Sequence, residues 1–163
     1  MYTLLSIVTL VFYACDSPNK STLDSAIIED VSLSCPKGVY PALFQVWNSE
    51  EEQNLVDTPP FCEAPFEIEL LDGDILYSAG DCEVQAGQQT RSMSYVFQGE
   101  LDETGNYAGE VSLTKPNGNQ DLASFSGACT QTESTVQINI YWNMTVTTPN
   151  GEREYVGVLQ TEE

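Results

Sequence analysis

The chain has 163 residues, 41% of them hydrophobic, with 25 acidic side chains against 5 basic ones, no histidine and a formal charge of -20. That length is one domain, and with 8 Tyr, 6 Phe and 2 Trp it carries enough apolar mass for a core, which excludes wholesale disorder. The five cations, Lys20, Lys37, Arg91, Lys115 and Arg153, are scattered along the chain and make no patch for a phosphate backbone. The missing histidine removes Ser-His and Cys-His nucleophile pairs and the zinc-finger patterns.

The first fourteen residues, from Met1 to Ala14, hold no charged side chain, and the run stops at Cys15-Asp16. A bilayer core takes about 20 apolar residues as a helix. The stretch is too short to span and reads as the core of an export signal. An apolar run closing on Phe12-Tyr13-Ala14-Cys15 resembles the lipobox of bacterial lipoproteins, with Phe12 where leucine is usual and Tyr13 where a small residue is usual. The resemblance implies cleavage after Ala14 and diacylglycerol, with palmitate-type acyl chains, on Cys15. It also implies residence in the cell envelope, on its periplasmic side or the cell surface. Asp16 to Ser25 is polar, contains a proline and has no periodicity, and suits a tether of roughly 20 Å. The expected organisation is a signal peptide over 1–14, a lipidated cysteine and tether over 15–30, and one β domain over 31–163.

The remaining cysteines, Cys35, Cys62, Cys82 and Cys129, are even in number, and export supplies an oxidant, so two disulfides are expected. Three pairings are open. The sequential one, Cys35 with Cys62 and Cys82 with Cys129, closes loops that do not cross and is favoured here.

From Val31 onward the hydrophobic period is two. Glu50-Glu51-Glu52 reads as a solvated loop, with a contact for a basic partner as the alternative. Phe66, Ile68 and Leu70 alternate with Glu67 and Glu69. Asp72-Gly73-Asp74 places carboxylates as a calcium loop does, but Leu76 and Tyr77 occupy a ligand place and the glycine place, which rejects an EF-hand and leaves a hairpin turn or a looser calcium site. Further strands are predicted near 91–101, 107–114, 121–129, 134–148 and 152–161, preceded by three to five less regular ones. Their inward sets are Met93, Tyr95, Phe97 and Leu101; Tyr107, Val111 and Leu113; Ala123, Phe125 and Cys129; and Val136 through Val146 at alternate positions. Asp102 to Asn106, Asn117-Gly118 and Asn150-Gly151 supply the turns between them. Gly99 and Gly127 each follow an inward phenylalanine by two residues, where a missing side chain lets a strand coil or an aromatic ring lie across it.

These features predict an all-β antiparallel meander closing into a small soluble β-barrel braced by disulfides, with a two-sheet β-sandwich as the competing architecture. Trp47 and Trp142 are assigned to the core. On the wet face of 134–148, Gln137, Asn139, Tyr141 and Asn143 offer amides beside a ring, a surface able to stack on a sugar; the plainer reading is the wet side of a sheet. No acid-base pair is singled out by spacing. The functional expectation is a non-catalytic binding or scaffold lipoprotein, without cofactor or metal, held to a membrane by its lipid. Its partner would be a cationic protein or a glycan and not nucleic acid. The alternatives are an inhibitor of a cationic, lysozyme-like enzyme, or a carbohydrate-binding or carbohydrate-active protein.

Overall fold

A computed structural model describes residues 35–162 apart from 55–57, 87, 133–134 and 149–150. Eight strands follow in order: β1 (Gly38–Trp47), β2 (Cys62–Leu71), β3 (Ile75–Ala86), β4 (Gln89–Leu101), β5 (Asn106–Thr114), β6 (Gln120–Gln131), β7 (Val136–Thr148) and β8 (Gly151–Thr161). Each pairs antiparallel with the next, and β1 pairs with β8 to close a barrel. Turn chemistry falls where the sequence placed it: Gly73, Gly105, Gly118 and Gly151 all have positive φ, as does Asp74. Asp102 organises its loop by accepting hydrogen bonds on Oδ1 from the Thr104 amide (2.8 Å), the Thr104 hydroxyl (2.6 Å) and the Asn106 amide (3.0 Å). Those donors hold its carboxyl below the usual range, the Thr104 hydroxyl contributing most.

The interior is a packed aromatic cluster. Phe44 on β1 lies 4.6 Å from the ring centres of both Phe66 and Tyr95, and 6.3 Å from Trp142 in a parallel stack. Phe97 meets Phe125 edge-on at 5.8 Å. An eight-stranded barrel is just wide enough for side chains to fill, and these rings fill it. Two of them fit only because a glycine faces them. A Cβ on Gly157 would stand 2.3 Å from the Trp142 indole, and one on Gly99 would stand 2.5 Å from Cζ of Phe125. Burial raises the phenol of Tyr95 well above its ordinary value, with the neighbouring Tyr155 adding to it.

The outward positions carry acids and amides, the reverse of a lipid-facing barrel. One outer patch is apolar: Trp47, Val156 and Val158 alternate outward, yet all are at least nine-tenths buried. A short helix, α1 (Glu50–Asn54), touches β1 and β8, and the Trp47 indole donates to the Thr58 carbonyl at 3.2 Å. Trp142 is therefore core as expected, whereas Trp47 is buried outside the barrel wall. The helix also corrects the reading of Glu50-Glu51-Glu52 as a loop. Ser49 caps it by accepting from the Glu52 amide at 3.2 Å, and the Glu52 carboxylate reaches back to the Asn48 amide at 3.1 Å, in the manner of a capping box.

The disulfides are Cys35–Cys129 and Cys62–Cys82, with Cα atoms 6.1 and 6.0 Å apart, not the favoured sequential pairing. The nested arrangement also avoids crossed loops, and barrel closure selects it. Cys62 and Cys82 lie on adjacent strands, while Cys35 enters beneath the barrel and joins β6 across its end, so both chain proximity and ring closure oppose the sequential bonds.

Candidate functional site: the open end of the barrel

The two ends of the barrel differ. At the end holding the 72–74 and 102–105 turns, buried Cys35 belongs to the core, Tyr40 packs against it, and the disulfide to Cys129 spans the opening. At the other end two seams come apart. The β2–β3 ladder runs only from Leu71↔Ile75 to Ile68↔Ser78, and the β6–β7 ladder stops at Phe125↔Trp142. Pro65 falls in the stretch of β2 without a ladder to β3, where a residue lacking an amide hydrogen costs that side nothing. The upper barrel is therefore two four-stranded sheets, β7-β8-β1-β2 and β3-β4-β5-β6. Cys62–Cys82 staples them along one seam.

Between the parted sheets lies a cavity of about 1050 Å³. Its floor is apolar: Phe61, Val84, Met93, Leu113, Val146 and Tyr155, with the Phe61 and Tyr155 rings 5.4 Å apart. Asn48, Asn117 and Asn119 stand on its rim. Arg91, Lys115 and Arg153 also line it, three of the chain's five cations, against Glu83 as the single lining carboxylate. Each sits two residues beyond an inward side chain, respectively Met93, Leu113 and Tyr155, so each continues an inward-facing row to the mouth. The cations scattered in sequence are thus gathered by the fold. Period-two counting could have shown their inward parity, but not that β4, β5 and β8 deliver them to one cavity.

Lys115 pairs with Asp121 at 2.6 Å. Among the described residues Arg91 and Arg153 have no ion pair, although the chain holds 25 acids. At the closed end Lys37 pairs with Asp72, whose carboxyl it holds below the usual range. Asp72 and Asp74 belong to the β2–β3 turn, and among the described residues no group of three potential ligands is placed to hold a metal ion.

Gln137, Asn139, Tyr141 and Asn143 do fall in one row on the outer face of β7, with Gln137, Tyr141 and Asn143 exposed and Asn139 half-buried. Opposite them stand Gln160, Val158 and Val156 of β8. Neither the mouth nor a shallower groove of about 430 Å³, flanked by Leu71, Ile75 and Tyr77, is lined by any of the four. Cys15 lies outside the described residues. Comparison with known protein families, curated proteins and solved structures finds no match to this chain.

Proposed function

We propose that the protein is a bacterial envelope lipoprotein, anchored by acyl chains on Cys15, whose barrel binds a small ligand at its open end and does no chemistry on it. The observation that carries the binding half is the asymmetry of the barrel: one end closed by a disulfide, the other parted around a concave space with an apolar floor and a few converging polar groups. The apolar run ending at Cys15 supports the anchor. Within the described residues the chain enters the barrel at the closed end, through Cys35.

Two measurements test this. Mass spectrometry of the mature N-terminus should find an acylated Cys15, and Cys15→Ser should remove the domain from the membrane fraction; an unmodified cysteine or cleavage elsewhere overturns the anchor. Methionine methyl NMR reads the mouth, because Met93 lines it whereas Met144 is buried and does not line it. Titration with a panel of compact apolar molecules of either charge and none should shift the Met93 methyl saturably for at least one of them. Silence across the panel overturns the binding site.

A further inference from the structure

We infer that the ligand of the barrel mouth is an organic anion with a compact apolar body, its charged head held by Arg91 and Arg153 from the two opposing sheets. This rests on the reading of the mouth as a binding site and adds the chemical class of what enters it.

The first observation is the distribution of charge. With acids five times as numerous as bases, an arginine placed anywhere on this surface would readily meet a carboxylate. Arg91 and Arg153 meet none among the described residues, and they share their cavity with Lys115. Like charges gathered at one mouth repel, and a bound anion removes that repulsion. Lys115 is already committed to Asp121, which leaves the two arginines as the groups available to a ligand. A guanidinium offers several N–H donors in a fixed fork suited to a carboxylate or phosphate oxygen pair.

The second observation is the seam. Arg91 belongs to the β3-β4-β5-β6 sheet and Arg153 to the β7-β8-β1-β2 sheet, whose ladders part above Ile68↔Ser78 and Phe125↔Trp142. An anion between them would tie together two sheets that no ladder joins at that height.

The third is depth. Tyr95, two residues further along the inward row of β4 than Met93, is 1% exposed, and its ring packs against Phe44 and Trp142. Arg91 stands four positions from Tyr95 on β4, about 13 Å along the strand and less along a tilted barrel axis. The site therefore has room for a short or compact apolar body over Phe61, Met93 and Leu113, and none for a long chain threaded through the barrel.

The test uses the full-length chain carrying Cys15→Ser and three probes of one size: octanoate, octanol and octylammonium. Octanoate should shift the Met93 methyl saturably at a dissociation constant at least about tenfold below that of octanol, and octylammonium should not bind. Arg91→Gln with Arg153→Gln should weaken octanoate at least about tenfold while leaving octanol unchanged. Arg91→Lys with Arg153→Lys should restore part of the loss, and Lys115→Gln should matter less than either arginine. An unchanged Met144 methyl in each variant reports that the core has kept its packing. Equal binding of octanoate and octanol, or octanoate binding indifferent to the double glutamine variant, overturns the anion and leaves the binding mouth standing. No response to any of the three overturns both. Octyl phosphate as a fourth probe separates the two head groups the arginines could read: a preference for it over octanoate assigns the anion as a phosphate ester.

Discussion

Trp142 occupies the barrel interior because the residue facing it across β7 and β8 has no side chain. Gly157 pairs with Trp142, and an added methyl would sit 2.3 to 2.4 Å from three atoms of the indole. The ring cannot retreat, since it is stacked among Phe44 and Tyr95. Gly157→Ala should therefore destabilise the protein by about 1–3 kcal/mol, the range for overpacking a filled core. Gly118→Ala, at a turn with open space, should cost about 1–2 kcal/mol through its positive φ alone, with no clash added to it. Chemical denaturation of the two variants checks the order, and a Gly157→Ala loss no larger than the turn variant's would show that the indole is not wedged. The same device at Gly99 is legible in the amino-acid pattern, because an inward phenylalanine stands two residues away, although the ring that covers Gly99 is Phe125 from β6. At Gly157 the clue lies fifteen residues back on another strand, and only the register supplies it.

Strands that bury one face announce themselves by alternation: β4 to β8 begin and end within about two residues of their predicted bounds. Alternation fails where both faces are covered. Val156, Gly157, Val158 and Leu159 are all buried, as are Val46 and Trp47. The pattern breaks because helix α1 touches β1 and β8 and the Thr58 carbonyl meets the outward Trp47 indole. Ser49 and Glu52, three apart, are the signal for that helix, and the acidic run hides it. Disulfide pairing is illegible for a different reason: the count of cysteines is local information, while their partners depend on how the ring closes. Peptide mapping without reductant should find Cys62–Cys82 and Cys35–Cys129, and the sequential pairs would contradict the barrel. Loop-closure entropy assigns roughly 3 kcal/mol to the bond closing the short loop and roughly 5 kcal/mol to the one closing the long loop. Cys35→Ser with Cys129→Ser should then lower stability more than Cys62→Ser with Cys82→Ser. The second pair should act chiefly on the mouth, freeing the seam that no β2–β3 ladder holds.

A charge of -20 on a molecule this small must be tolerated by the sheet that carries it. The register shows how. Glu69 faces Val39 and Tyr77, Glu100 faces Ile75 and Ala108, Glu110 faces Gln98 and Ser124, and Glu154 faces Thr145. Across the described ladders no acid stands directly opposite another, so the short-range repulsion that destabilises like-charged cross-strand pairs is avoided. A slip of one residue would turn every side chain to the other face, which places acids in the aromatic core and reinforces the register that hydrophobic burial selects. What remains is the longer-range repulsion of many carboxylates at separations comparable to the Debye length, roughly 10 Å at 0.1 M salt. Described ion pairs to offset it are two, Lys37 with Asp72 and Lys115 with Asp121. Raising sodium chloride from roughly 20 mM to roughly 500 mM, where screening is nearly complete, should therefore raise the melting temperature by several degrees near neutral pH. The gain should shrink as pH falls toward the isoelectric point near 4.1, where protonation discharges the same carboxylates. A melting temperature that is flat or falls with salt at neutral pH would mean that attraction, not repulsion, dominates the surface, and that the acids are paired more closely than the register indicates.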